Sequence, residues 1–421
     1  LTTLARKRPT PFAWRLGAIA CAGFLWELLY INWEPPVGIL TDEAWYIGEA
    51  RNLFGAHPWT SIFNSSQPTA QHGPLTSIIV APFAWLFPHA LESLRDVSAL
   101  VGVGTIVLLA MAAREWRGDR AGLIAAAIVA AFPDFWVRDG LVAPEPVAAC
   151  LAAGAVWTLF KLYKRVTPAR VVVLGVLAGL VALSRPEDAP ILLLIGVVIV
   201  LRHAEGRGFA RRVGMGALAI ACALAVIAPW SAYNEGRFKD PVFISNDLGI
   251  TLAGANCTRT YYNIGIVGYD SAACWFKEFN KYAKDDESVQ SASMRDDAFH
   301  FVVHHLDRVP LVVVMREAWF LGVYRPDWVV FMNSRSQRAW ATWCQAIGFY
   351  LAIVAATALW WRRRKDDWPH WILGLLAANS FVVAALFVGH WRYRITLDLT
   401  LVLAIAWGID AWMAKRRALT T

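Results

Sequence analysis

Ten apolar stretches limit what this chain can fold into. Runs of about 17 to 25 mainly apolar residues, long enough to cross a bilayer as helix, can be placed near 12–32, 95–113, 121–136, 147–163, 171–184, 189–201, 213–232, 339–361, 371–389 and 396–414. With 57% of the 421 residues hydrophobic, 17% charged and a mean hydropathy of +0.43, the chain reads as an all-α polytopic membrane protein.

Basic residues orient the spans. Clusters at Arg6-Lys7-Arg8, Arg114 to Arg120, Lys161 to Arg170, Arg202 to Arg212, Arg362 to Lys365 and Lys415 to Arg417 all fall on one side of a ten-span arrangement. The positive-inside rule then makes both termini cytoplasmic in a multi-pass plasma-membrane protein. The net charge of +8 is accounted for by these loops and anionic lipid, so no nucleic-acid partner is expected. Residues 1–33 read as a retained first helix, because ELLYINWEPP has no small-residue cleavage site.

Two more apolar stretches fit helices lying along the outer interface. His72 to Phe87 is interrupted by Pro74 and Pro82, and Pro310 to Tyr324 carries Arg316 and Glu317 at its middle. The expected organisation is a transmembrane catalytic module over 1–232, an extracytoplasmic loop domain over 233–338 and C-terminal spans over 339–421. The turn-rich run SNDLGITLAGANCTRTYYNIG suggests small strands, hence an α/β cap. Cys257 and Cys274 share that outer segment and predict a disulfide, two free thiols being the alternative.

Four polar clusters point to one outer cleft. Asp42-Glu43 opens the amphipathic segment TDEAWYIGEARNLF, and carboxylates at membrane depth are usually functional. The bland alternative is an N-cap at Asp42 with Glu43 in the first turn. Arg138, Asp139 and Glu145 lie in the short loop FWVRDGLVAPEPVAAC, Glu145 bracketed by Pro144 and Pro146. Arg185, Glu187 and Asp188 make the turn LSRPED, and His390, Arg392, Tyr393 and Arg394 precede the last span. Arginines on the outer side run against the charge rule and suit an anion, because a guanidinium fork gives phosphate two parallel bonds; an interfacial belt is the alternative.

Carboxylates facing phosphate-suited arginines match sugar transfer from a polyprenyl phosphate. That reaction needs a base for an acceptor hydroxyl and cations for the departing phosphate. The sequence contains no glycine-rich phosphate loop and no metal-type Cys or His spacing, His304-His305 alone being weak. A lipid-linked sugar transporter or flippase would place charges along a mid-membrane path with repeated halves, and neither feature is present in the sequence. A non-catalytic binding module would not need carboxylates from separate loops.

These segments resemble the GT-C superfamily of integral-membrane glycosyltransferases, in the branch holding ArnT-like aminoarabinose transferases and protein O-mannosyltransferases. The likeness rests on TDEAWYIGEARNLF, the proline-containing stretch after it, RDGLVAPEP, LSRPED and RYRITLD, and is weakest over 233–310. It implies Asp42 and Glu43 at the catalytic centre, with Asp42 binding the acceptor or acting as base. Glu145 matches the second-loop acid, with Asp139 beside it, and Arg392 and Arg394 match the lipid-phosphate end; Arg138, Arg185 and Tyr393 join them as donor-phosphate candidates. It further implies an inverting transfer from a polyprenyl-phosphate sugar to an extracytoplasmic glycan, lipid or protein acceptor, with a divalent cation (Mg or Mn) permitted but not demanded. Thr396 stands where many relatives have proline, and the second loop offers two acids instead of one.

Overall fold

A computed structural model of the chain describes residues 10–33, 42–55, 57–62, 66–87, 90–203, 208–333, 337–363 and 369–420. The basic cluster Arg6-Lys7-Arg8, the stretch Glu34 to Thr41, Arg207, Arg364 and Lys365 lie outside the described residues. Among the described residues the regular elements are helical, and the β pairing is one isolated bridge between Thr60 and Pro68. Among the described residues six helices are long and apolar enough to cross a membrane: Pro11–Trp33, Leu91–Arg117, Pro144–Lys164, Phe209–Asn234, Ala339–Arg362 and Trp391–Ala418. The number rises to eight if two bent pairs each count as one span, and Pro168–Ala182 and His370–Leu386 are shorter apolar helices. This is a multi-pass membrane protein.

Prolines and small residues explain much of the bundle. Pro133, Pro144 and Pro168 each open a helix, where the missing N–H costs nothing and the ring presets φ. The break at Phe132 turns Asp119–Ala131 by 56° into Pro133–Asp139. Leu91–Arg117 packs on Pro144–Lys164 with a glycine on each side of the contact, where a Cβ at Gly104 would meet Cys150 and one at Gly154 would touch Leu108. Small faces of this kind let helix backbones approach closely where lipid supplies no hydrophobic drive. The pair Gly175 and Gly179 does the same for Pro168–Ala182 against Phe209–Asn234: a Cβ at Gly179 would lie 2.7 Å from the Ala223 carbonyl oxygen.

The segment expected to be an α/β cap is helical instead. Its supposed strands are the helices Asp247–Ala255 and Thr258–Tyr262, followed by Ala272–Lys281 and Glu287–His304. Packing decides the outcome: Gly249, Ala253 and Ala255 are buried, and a Cβ on Gly249 would strike the backbone of Ser291. Gly249, which reads as a turn former, thus serves close helix contact. Cys257 and Cys274 are joined by a disulfide, which ties the start of Thr258–Tyr262 to Ala272–Lys281. The two stretches read as interfacial are the helices Leu75–Leu86, with Pro82 inside it, and Val309–Phe320, which stands at 117° to Glu287–His304.

One carboxylate clamps this helical segment to the first loop. Glu287 accepts hydrogen bonds from Thr69 Oγ1 at 2.6 Å, the Ala70 N–H at 2.8 Å and Asn246 Nδ2 at 2.9 Å. The Asn246 N–H in turn donates to the Ala70 carbonyl at 2.8 Å. Removing the acceptor strands several desolvated donors, each costing about 1–3 kcal/mol. Glu287→Ala should therefore lower the thermal midpoint of the detergent-purified protein by roughly that free energy or more. An unchanged midpoint would show that the clamp is not holding the two segments together.

Candidate functional site

Four helix ends meet at one end of the bundle. Asp42 is the first residue of Asp42–Asn52, and Glu145 lies in the first turn of Pro144–Lys164. Arg185 follows Pro168–Ala182, and Arg392 sits in the 3-10 turn Trp391–Arg394 before the final helix. Each is a terminus where the chain leaves the apolar layer, so charges from remote sequence positions converge without a charge in mid-helix.

Arg392 is the hub. Its Nη1 donates to Asp42 Oδ2 at 2.5 Å and its Nε to Glu145 Oε1 at 2.7 Å. Arg185 Nη1 donates to the same Glu145 oxygen at 2.5 Å, and its Nε to Glu187 Oε1 at 2.8 Å. The Tyr393 ring lies under the Arg185 guanidinium, 4.9 Å from its centroid. Glu145 is buried, whereas Arg392 and Asp42 keep 38% and 30% of their side chains exposed, so the network opens to solvent on the Asp42 side. Desolvation favours the neutral carboxyl of Asp42, yet the Arg392 guanidinium, with help from His72, outweighs it and holds the group well below the usual carboxylate range.

Other expected residues have structural partners. Glu43 is buried and bound by Arg95 Nε at 2.7 Å and Nη2 at 2.6 Å, while its Oε1 also accepts the Val142 N–H at 3.0 Å. It joins the first loop to the second. Arg138, expected on phosphate, instead donates to Asp398 at 2.9 Å, to Asp134 at 3.0 Å and to the Trp391 carbonyl at 3.2 Å. Arg394 turns fully inward: its Nε and Nη2 donate to the Phe320 carbonyl, and its guanidinium lies 3.6 Å from the centroid of the Phe349 ring. Both arginines hold the turn that carries Arg392. Asp139 is buried away from the hub, where it and Glu27 share the space beside Gly102. Neither acid could face solvent there.

The structure adds residues the sequence reading passed over. His72 stacks on Tyr46 at 5.1 Å and meets the Trp45 ring edge-on at 6.0 Å. Its neighbour Gly73 lies against the Leu183 carbonyl, an approach that leaves no room for a Cβ, and the Leu75 N–H donates to that carbonyl at 3.2 Å. The HGP turn is thereby docked on the LSRPED turn. Gln71 Nε2 donates to Asp247 at 3.3 Å, and burial raises the Asp247 carboxyl above its ordinary value. The His-Gly-Pro triplet was the available signal, a breaker ahead of an apolar run.

Among the described residues no group of three or more His, Cys, Asp or Glu side chains is arranged to hold a metal ion. Guanidiniums, moreover, already engage Asp42 and Glu145. This arrangement does not fit a divalent cation.

Glu49 lies in the same helix as Asp42, is 1% exposed, and accepts one bond, from Ser77 Oγ at 2.9 Å, leaving Oε1 without a partner. Burial pushes its carboxyl from 4.5 up to about 7, against the lowering effect of His72 and Ser77. A carboxyl that binds its proton more tightly when folded carries no penalty below about pH 4.5, a growing one up to pH 7 and the full one above. That full penalty is about 3–4 kcal/mol, at about 1.4 kcal/mol per pKa unit. Glu49→Gln should raise the unfolding midpoint at pH 8, with the gain vanishing by pH 4.5. Equal gains at both pH values would rule out this origin.

Residues 71–233 match the family model described as dolichyl-phosphate-mannose-protein mannosyltransferase. No curated protein matches the sequence. Among solved structures, the apo oligosaccharyltransferase of Archaeoglobus fulgidus is similar over 97% of this chain, with 17% identity and a TM-score of 0.55. The same archaeal enzyme, AglB, in complex with an inhibitory peptide and a dolichol-phosphate is similar over 96%, with 17% identity and a TM-score of 0.54. The chain spans about half the length of that protein, 52% and 51% in the two structures. ArnT from Cupriavidus metallidurans bound to undecaprenyl phosphate gives 14% identity and a TM-score of 0.46, covering 96% of this chain and 79% of that one.

Proposed function

We propose that this membrane protein of GT-C fold is a glycosyltransferase, which moves one sugar with inversion from a polyprenyl-phosphate donor to an acceptor in the cell envelope. The observation that carries the reading is Arg392 held between Asp42 and Glu145, with Arg185 behind it. The site joins a solvent-facing carboxylate to two guanidiniums at the end of an apolar bundle. Such a place can keep an isoprenoid chain in lipid and its phosphate among cations. The family description over 71–233 and the dolichol-phosphate bound by a neighbour of the same fold support this donor class.

In this scheme Arg392 and Arg185 bind the donor phosphate and stabilise the charge that grows on it as the sugar C1–O bond breaks. Asp42 orients the acceptor hydroxyl and takes its proton as that oxygen attacks C1 from the opposite face. The leaving polyprenyl phosphate keeps the electron pair of the broken bond, and one displacement inverts the anomeric centre. Glu145 keeps the two guanidiniums side by side. With basic loops in the cytoplasm, the site faces outward across the plasma membrane. The family description names a protein acceptor, so protein O-mannosylation is the second reading.

The test incubates purified protein with a panel of radiolabelled polyprenyl-phosphate sugars and envelope fractions. Label should move to envelope material, and protein against glycan or lipid counts separate the two readings. Asp42→Asn keeps size while removing basicity, so turnover should fall by roughly two to four orders of magnitude with donor binding retained. Arg392→Ala should weaken donor binding and turnover together. Full turnover in folded Asp42→Asn, or unchanged donor affinity in Arg392→Ala, would overturn these assignments.

A further inference from the structure

We infer that Arg392 is a gate: in the donor-free protein it masks Asp42, and the donor phosphate unmasks it, so that donor binds before acceptor. The inference rests on the donor reading above and deepens it.

Three observations carry it. The first is charge: the connected network holds the carboxylates of Asp42, Glu145 and Glu187 against the guanidiniums of Arg185 and Arg392. It already has an excess of negative charge, so an anionic phosphate cannot simply be added. One carboxylate has to give way. The second is geometry. A guanidinium offers phosphate two parallel bonds through either its Nη1/Nη2 end or its Nε/Nη2 edge. The end is occupied by Asp42 at Nη1, and the edge by Glu145 at Nε.

The third observation decides which acid leaves. Glu145 is buried and has a second guanidinium, Arg185, at 2.5 Å, so it stays paired if Arg392 turns away. Asp42 keeps 30% of its side chain exposed, so it can be solvated once Arg392 is drawn off. Phosphate thus takes the Nη1/Nη2 end and frees Asp42. A carboxylate clasped by a guanidinium is a weak base, so this release restores the basicity the transfer needs only when a sugar phosphate is in place. No bond is made or broken; the step exchanges one ion pair for another.

Carbodiimide labelling reads the gate, because the reagent attacks protonated carboxyls, and adjacent Glu43, held by buried Arg95, is an internal control. Peptide mass mapping of the full chain in detergent should show little label on Asp42 without ligand. Saturating undecaprenyl phosphate should raise it by roughly tenfold, the change in protonated fraction that one pKa unit carries, while Glu43 stays unlabelled. In Arg392→Ala, Asp42 should label strongly without any lipid. If undecaprenyl phosphate demonstrably binds but Asp42 labelling is unchanged or falls, the gate is wrong and the donor reading stands. If Asp42 in Arg392→Ala is as protected as in the native protein, the gate is again wrong. If undecaprenyl phosphate does not bind at all, the donor reading itself fails.

Discussion

The organisation of this site follows from the cost of desolvating charge. A carboxylate or guanidinium near a bilayer is tolerated only with a partner that satisfies it, and partners here come from distant parts of the chain. Arg392 reaches back 350 positions to Asp42 and 247 to Glu145. Those pairings require the ends of the first-loop helix, the Pro144–Lys164 helix and the final helix to lie together. Folding the bundle and assembling the site are therefore one event, and the turn at Trp391–Arg394 is where they meet.

Around that turn, charged residues divide into two kinds by exposure. Arg138, Arg394, Arg95 and Glu43 are buried and bound to partners within the protein, and each fastens a loop to a helix. Breaking such a buried pair costs about 3–5 kcal/mol because it strands the remaining charge. Asp42 and Arg392 retain access to water. They are the members of the network left partly exposed, and the buried ones hold them in place.

Much of this is legible in the sequence. Apolar runs and basic loops give the helical membrane class, and the positions of Asp42, Glu145, Arg185 and Arg392 at helix ends follow from where those runs stop. The division between committed and exchangeable charges was not legible, because it depends on side-chain direction. Arg392 and Arg394 are two residues apart in RYRITLD, yet one faces the carboxylates and the other packs on Phe349. Likewise Asp139 stands in the loop as a second candidate behind Glu145 but turns inward beside Glu27. The cap misled for another reason: glycine, asparagine and serine signal turns locally, whereas Gly249 here is a contact surface for a neighbouring helix, a choice made by tertiary packing.

The Asp42-Glu43 dipeptide has a consequence for how the segment can vary. Consecutive residues on a helix point about 100° apart, at 3.6 residues per turn, so adjacent acids must face different surroundings. Glu43 is the anchor, and its bonds to Arg95 and Val142 set the rotational phase at which Asp42 is presented. The two acids therefore form a directional word. Exchanging their order would put the shorter acid toward Arg95 and the longer one toward Arg392, and inserting one residue between them would rotate the Asp42 carboxylate off the arginine altogether, although composition and charge would hardly change.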